Sequence, residues 1–260
     1  MSLNYLSINN LHKIRRTLAV SVAFAVGLFE VSCMNRDGKA GDGMELAKQA
    51  GDTVILFQPG KWNEADWTLV KSSRWDVVSR FVQRENWIEN VVPEGATPEE
   101  MLNVKAPETY ASLLWKPELE GSFTVASRMD FDYRMAPLIV LADEIGASKT
   151  GFPEFRQHWE IILWDEGINV WHHVFDEEGK QHWTLAANAQ RPSDNLFKAN
   201  TIYDLVVHVR RQAEGAILDI QCGDERLSLN APQFPQKVRA GITACEGLNR
   251  FYDFRVMRDK

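Results

Sequence analysis

From residue 53 almost to the C-terminus, short segments alternate apolar and polar residues and are separated by turn residues. A two-residue period is typical of β-strands that bury one face. It predicts strands over residues 53–57, 75–83, 87–92, 110–115, 122–134, 137–142, 158–164, 168–175, 183–186, 202–211, 217–222, 240–245 and 250–257. These segments do not alternate with helical patterns, so we expect antiparallel sheets. The pattern therefore predicts an all-β protein, a two-sheet antiparallel jelly-roll sandwich over residues 51–260.

One short helix is predicted among these strands, over residues 96–105. Thr97 is suited to cap it, and Pro98 occupies its first position. Glu99 and Glu100 follow, where negative charge interacts favourably with the helix dipole.

Composition excludes several functional classes. Nine tryptophans and 45% hydrophobic residues exclude a disordered chain. The net charge of −7 argues against a protein that binds nucleic acid through phosphate contacts. Three cysteines in 260 residues are too few for a disulfide-rich scaffold. A folded, acidic protein with no nucleic-acid partner is expected.

The first 32 residues differ in kind from the rest. Basic residues at positions 13, 15 and 16 precede an uncharged apolar run over 17–29, which has the length of a signal-peptide core. Small residues then precede Cys33, as in bacterial lipoprotein signals, although Glu30 departs from that pattern. We expect a signal peptide over 1–32, a flexible tether over 33–50, and export to the periplasm or cell surface with a membrane anchor through lipid on Cys33. The alternative is a cytosolic chain in which the apolar run forms a short buried helix.

Two further cysteines, Cys222 and Cys245, lie within the predicted sandwich. An oxidising compartment would allow them to pair. We slightly favour two separate buried thiols, since sequence spacing does not show whether their Cα atoms meet.

The hairpin over residues 158–175 carries the most chemistry. A three-residue loop, Asp165-Glu166-Gly167, would pair Glu160 with His172 and place His158 on the same face. A two-residue loop would instead bring His173 beside Glu160. We favour the first, because Glu is a poor residue for a turn position with positive φ. In either register, His158 and Glu160 share a face and are candidates for acid/base catalysis or for part of a metal site. A cross-strand polar pair on a solvated face is the simpler alternative.

Other polar residues extend this set of candidates. Asp130 and Asp132 share one strand face with Arg128, as a carboxylate pair or as an ion-paired strand edge. Glu246 stands between a strand and a glycine turn, either at the rim of a site or in a salt bridge with Arg250. Candidate substrate-binding residues are Arg128, Asp130, Trp164, Asn169, His172 and His208, and candidate catalytic residues are His158, Glu160 and Glu246. Trp62, Trp67 and Trp164 are candidate platforms for stacking sugar rings, although most tryptophans are expected in the core.

Three segments carry a family resemblance: residues 136–142, 158–173 and 241–256. In strand order and in these segments, residues 53–258 resemble secreted bacterial domains of the concanavalin A-like lectin/glucanase fold. The groups they most resemble are glycoside hydrolases of this fold and the 3-keto-disaccharide hydrolase family. The resemblance implies a jelly roll that acts on or binds carbohydrate. The chain lacks the Glu-x-Asp-x-x-Glu motif of laminarinase-type glucanases, so that retaining mechanism is not expected.

These observations leave two functional hypotheses. The first is an exported enzyme that cleaves a glycosidic or modified-sugar linkage. The second is a non-catalytic, lectin-like domain displayed on the cell surface. In both hypotheses the partner is an oligosaccharide or glycoside. Neither hypothesis requires a cofactor, and the sequence leaves open whether a divalent metal ion is bound. An enzyme requires His158, Glu160, Asp130 and Glu246 to converge, whereas a lectin requires exposed tryptophan.

Overall fold

The computed structural model describes residues 50–57, 62–134 and 136–259, the first of these segments through its backbone only. The predicted signal peptide and Cys33 lie outside the described residues, as does all but the last residue of the predicted tether. Their assignment therefore stays a prediction.

Strands dominate the described part of the chain. They are β1 (Ala50–Phe57), β2 (Trp67–Val70), β3 (Phe81–Gln83), β4 (Ile88–Asn90), β5 (Ala111–Trp115), β6 (Leu119–Glu120), β7 (Phe123–Phe131), β8 (Pro137–Ala147), β9 (Pro153–Trp164), β10 (Gly167–Phe175), β11 (Gln181–Gln190), β12 (Tyr203–Arg211), β13 (Ala216–Cys222), β14 (Glu225–Ala231), β15 (Lys237–Ala244), β16 (Asn249–Phe251) and β17 (Phe254–Asp259). A 3₁₀ turn (Glu64–Asp66) and two four-residue helices (Pro98–Met101 and Ala106–Thr109) connect some of them. Within the described ranges, no helix is long and apolar enough to cross a membrane.

The strands form two sheets, and the strands paired within each sheet are antiparallel. The first sheet has the order β14-β13-β12-β7-β16-β4-β3, and β17 joins it by pairing with both β7 and β1. The second has the order β11-β10-β9-β8-β15-β5-β2, with β6 also paired to β15. The predicted all-β, antiparallel jelly-roll sandwich is confirmed.

The core lies between the two sheets and follows from the alternation in sequence. Phe123 and Val125 of β7 and Ile161 and Leu163 of β9 are fully buried in one apolar cluster. Burial of each such side chain contributes roughly 1.5–3 kcal/mol. Residues of the opposite parity on β9, including His158 and Glu160, point away from this core onto the outer face of the second sheet.

Two predicted elements are shorter than expected. Of the strand predicted over 75–83, only Phe81–Gln83 is formed. The predicted helix begins as expected, with a capping box between Thr97 and Glu100, but it ends after Met101. After Met101, the amides of Asn103 and Lys105 both donate to the Glu100 carbonyl, at 3.1 and 2.9 Å, so the α-helical hydrogen-bond pattern is not continued.

The two cysteines of the sandwich are separate. Cys222 and Cys245 are free thiols, and both are buried. The favoured prediction of unpaired thiols is confirmed. Burial raises the pKa of the Cys245 thiol well above its ordinary value.

Candidate functional site

The β9–β10 hairpin has a two-residue turn, and this register decides which histidine meets Glu160. Trp164 pairs with Gly167, so the three-residue loop predicted from the sequence is wrong by one position. Gly167 is required on two counts: its φ of 147° is one that other residues rarely adopt, and a Cβ atom there would lie 2.0 Å from the carbonyl oxygen of Ala189 on β11. Because β11 lies far along the chain, the turn sequence does not reveal this constraint.

The corrected register exchanges the two adjacent histidines. His173 pairs with His158 and therefore lies on the outer face of the sheet. His172 pairs with Trp159 and stacks on its ring at 4.0 Å, so it lies on the opposite face. The prediction that His172 shares a face with Glu160 is wrong, and the alternative with His173 is correct.

Glu160 is the centre of a buried polar cluster. Its Oε1 atom lies 3.4 Å from His158 Nε2, and its Oε2 atom lies 3.1 Å from His173 Nε2. The Tyr110 hydroxyl donates a hydrogen bond to Oε1 at 3.2 Å, and Arg74 Nη2 lies 3.8 Å from the same oxygen. The Glu160 side chain is 2% exposed, so this carboxylate interacts with the protein instead of water.

A row of rings crosses the sheet beside the carboxylate. The Phe155 and His158 rings stack at 4.4 Å, and the His158 and His173 rings stack at the same distance. Trp183 of β11 continues the row 6.1 Å from His173, and it is 42% exposed. The row therefore runs from the protein interior to an exposed indole ring at the edge of the cluster.

Arg74 reaches Glu160 because its segment is attached to β9. The Lys71 amide donates to the Pro153 carbonyl at 2.8 Å, and the Lys71 carbonyl accepts from the Phe155 amide at 3.1 Å. Three residues further on, the Arg74 guanidinium lies among the rings of Trp75, Tyr110 and Trp183, at 5.5–5.7 Å from each. This aromatic environment holds the cation over the carboxylate.

Charge distribution in the cluster favours an ionised Glu160. Burial would raise the pKa of this carboxyl, but His173, Arg74 and His158 together hold it well below its ordinary value. Burial opposes the charge on Arg74 too, yet the Glu160 carboxylate keeps the pKa of the guanidinium above its usual range. Burial, and then the neighbouring His173, lowers the pKa of His158 to about 4. At neutral pH the cluster thus contains a carboxylate, a guanidinium and a neutral His158.

Glu246 provides a second carboxyl group close enough to interact with this cluster. It follows β15 and has a left-handed backbone with φ of 55°, which is uncommon for a residue other than glycine. Burial, partly offset by Arg74 and reinforced by Glu160, raises the pKa of Glu246 to about 7. Glu246 is half-buried, and among the described residues no ion pair joins it to Arg250.

A buried amide fixes the backbone of this loop. Asn90 Nδ2 donates to the carbonyls of Thr109 and Gly247 at 2.7 and 2.9 Å. Its Oδ1 atom accepts from the Asn249 amide at 2.9 Å, and Asn249 Oδ1 accepts from the Cys245 amide at 2.9 Å. These bonds hold the chain on both sides of Glu246 and explain how its strained conformation persists.

Three of the candidate substrate-binding residues lie on the first sheet, away from the Glu160 cluster. Arg128 pairs with Asp253, and His208 with Asp259. Asp130 is buried, and its carboxylate accepts hydrogen bonds from Arg250 Nη1 at 2.8 Å and from the Tyr252 hydroxyl at 2.7 Å. The expectation that Asp130 converges with Glu160 is wrong, because β7 belongs to the other sheet. Asp130 is ion-paired, with Arg250 of β16 as its partner.

The remaining candidates lie on or near the second sheet. Asn169 is half-buried on the same sheet face as Glu160, and strand alternation places Trp164 there too. Trp67 is a core residue in edge contact with Phe254, and Trp62 is half-buried against the core. These two tryptophans line a cavity of about 460 Å³ that does not include Glu160.

Sequence reasoning missed three members of the cluster: Arg74, Tyr110 and Trp183. Arg74 lies just before the strand predicted over 75–83, and Tyr110 and Trp183 fall in strand segments that gave no sign of a polar neighbour. No local sequence signal identifies them, because Arg74 and Tyr110 reach Glu160 from segments distant along the chain, and Trp183 joins the cluster through Arg74 and His173.

Comparison with solved structures identifies proteins of similar fold. The chain is similar to the β-porphyranase BpGH16B from the human gut bacterium Bacteroides plebeius, at TM-score 0.50 and 10% identity over 83% of this chain and 98% of that one. It is similar to β-agarase A from Zobellia galactanivorans, at TM-score 0.51 and 6% identity over 80% and 92%. The catalytic domain of PdAgaC gives TM-score 0.51 and 10% identity over 81% and 90%.

The protein thus has the concanavalin A-like jelly-roll fold, as its sequence resemblance implied. No protein-family model and no curated protein sequence matches the chain. At these identities the likeness defines the architecture, and any activity has to be argued from the residues of the site.

Proposed function

We propose that the protein is a carbohydrate-active enzyme that cleaves a glycosidic or modified-sugar linkage at the Glu160–Glu246 site. The observation that carries this proposal is the pair of carboxyl groups around Arg74 whose pKa values are displaced in opposite directions. The pKa of Glu160 is held well below its ordinary value, and that of Glu246 is raised to about 7. Such a pair supplies one ionised and one protonated carboxyl group at the same pH.

Glycoside hydrolysis uses both forms. In the proposed mechanism, Glu246 donates its proton to the leaving-group oxygen, because it is half-buried and its pKa of about 7 leaves a substantial fraction protonated near neutral pH. The Glu160 carboxylate, which Arg74 keeps ionised, raises the proton affinity of Glu246 and stabilises the positive charge that develops on the sugar ring. After the leaving group departs, the ionised Glu246 takes up a proton from the attacking water. Trp183 offers an exposed ring on which a sugar stacks at the edge of the cluster. The porphyranase and agarase likeness supports this class of substrate through the fold only.

Product release from a panel of oligosaccharides, with 3-keto glycosides included, tests this proposal. Glu246→Gln and Glu160→Gln are each expected to lower kcat by about 10²–10⁴-fold, which is the usual contribution of acid–base catalysis. His208→Gln serves as the control, since His208 lies on the other sheet and is expected to leave turnover unchanged. Turnover that survives both glutamate substitutions would refute the assignment.

A second candidate function is non-catalytic carbohydrate binding. It is favoured by the 2% exposure of Glu160 and by the separate cavity of about 460 Å³ beside Trp62. Calorimetric binding without product release, lost in Trp62→Ala and retained in Trp183→Ala, would support it. Product release that is lost in Trp183→Ala and retained in Trp62→Ala would support the enzyme.

We further propose export and lipid anchoring, on the basis of the basic, apolar and small residues that precede Cys33. Mass spectrometry of the N-terminal peptide from the membrane fraction is expected to show diacylglycerol on Cys33. The Cys33→Ser variant is expected to lose it. A mature N-terminus elsewhere would exclude the lipoprotein assignment.

A further inference from the structure

His158, Glu160 and His173 have the arrangement of a metal-ligand set. One nitrogen or oxygen atom from each lies within 4.8 Å of the other two, and all three side chains are buried. The two His Nε2–Glu160 oxygen distances are 3.4 and 3.1 Å. Ligand atoms at about 2.0–2.1 Å from a tetrahedral zinc ion would be separated by about 3.3 Å, which is close to both distances. The two contacts involve different carboxylate oxygens, and the imidazole rings stack within 14° of parallel, so one ring has to turn before both nitrogens point at one ion.

The hydrogen bonding of His173 gives an independent indication. The residue is 2% exposed, and within the described structure neither of its ring nitrogens has a hydrogen-bond partner. Its Nε2 atom is close to Glu160 Oε2, yet the contact does not have the geometry of a hydrogen bond. Leaving a buried polar group unsatisfied costs about 1–3 kcal/mol. A bound cation would supply the missing partner for a ring nitrogen.

We propose that His158, Glu160 and His173 bind a divalent transition metal, with Zn²⁺ as the best fit. Two imidazoles and one carboxylate suit zinc and leave its fourth position open, as in catalytic zinc sites. His158 lies beside Oε1 and His173 beside Oε2, so an ion held by both imidazoles contacts the carboxylate between them, and Arg74, 3.8 Å from Oε1, is a like charge on one side of this position. The site goes beyond the proposed hydrolase, because it does not require Glu246 to act as an acid.

The chain provides a matched control for this site. His172 is the neighbour of His173 on the same strand, and it faces the opposite side of the sheet against Trp159. His172→Gln and His173→Gln therefore make the same chemical change at adjacent positions, and only the second removes a proposed ligand. Glu160→Gln tests the carboxylate in the same way.

The experiment uses the full chain, purified without a polyhistidine tag and stripped with a chelator. Isothermal titration calorimetry with Zn²⁺ is expected to give one ion per chain. The metal content after dialysis is expected to give the same ratio. His173→Gln and Glu160→Gln are expected to weaken binding by at least about tenfold, since even changes behind a metal ligand cost 10–100-fold. His172→Gln and Glu246→Gln are expected to bind like the wild type.

A second measurement keeps the test independent of folding defects in the variants. Co²⁺ bound to the wild type is expected to give the visible ligand-field absorption of a tetrahedral ion, and Zn²⁺ is expected to displace it. Absence of stoichiometric Zn²⁺ and Co²⁺ binding by the stripped wild type would overturn the proposal. Equal losses in His172→Gln and His173→Gln would do the same. Because no substrate is present, failure here leaves the hydrolase proposal intact.

Discussion

The strongest quantitative prediction concerns Glu246 and the pH dependence of folding. Burial raises the pKa of this carboxyl from 4.5 to about 7 in the folded protein, and the charges that face it are those of Arg74 and Glu160. The folded state therefore binds the proton more tightly than the unfolded chain does. The resulting stabilisation is fully present below about pH 4.5 and is lost as the pH rises through 7.

The size of the effect follows from the shift. A displacement from 4.5 to about 7 corresponds to about 3 kcal/mol at full burial. Partial exposure of Glu246 to water reduces this figure, so we expect about 1–3 kcal/mol. In Glu246→Gln the neutral amide does not titrate, and the variant is expected to gain that amount relative to the wild type between pH 5 and pH 8.

Urea denaturation of both proteins at pH 5, 6, 7 and 8 measures this difference directly. Taking the difference between wild type and variant removes the contributions of the other titrating groups. Glu178→Gln on an exposed turn is the control and is expected to leave the pH profile unchanged. Parallel profiles for the wild type and Glu246→Gln would show that the folded environment does not favour the protonated acid.

Three further predictions concern stability. Arg74→Met is expected to destabilise the fold by about 3–5 kcal/mol in urea denaturation, because it leaves the buried charge of Glu160 uncompensated. The double variant with Glu160→Gln is expected to recover part of this loss in stability. Asn90→Ala removes two donated hydrogen bonds and one accepted bond in the interior, and a loss of about 2–3 kcal/mol is expected in the same assay. Gly241→Ala would place a Cβ atom 2.0 Å from the Leu113 carbonyl oxygen, so we expect reduced soluble yield and a melting temperature lower than that of an exposed Ser228→Ala control.

Local sequence signals predicted much of the architecture for a clear physical reason. A strand buries every second residue, so alternation alone predicted strands with one buried face, such as that formed by Phe123, Val125 and Ile161 in the core. The Thr97 cap and the unpaired cysteines were predicted correctly as well. What alternation does not encode is which sheet a strand joins, and Asp130 was consequently grouped with residues of the other sheet.

The hairpin register shows how a distant strand overrides a local preference. Gly167 suggested a longer loop because glycine is common at positive-φ turn positions. Gly167 does have a positive φ, and the close approach of β11, which begins at Gln181, excludes a side chain there as well. A shift by one residue exchanges the faces of His172 and His173, so the membership of the polar cluster depends on a contact between strands.

By itself, the sequence determined an acidic, all-β sandwich and singled out His158, Glu160 and Glu246 as reactive groups, because alternation and residue chemistry are local properties. Only the tertiary structure decided that Arg74, Tyr110 and His173 contact Glu160, and that Trp183 packs beside Arg74 and His173. The displaced pKa values of the two glutamates depend on the same arrangement, since burial and neighbouring charges arise when distant strands pack together.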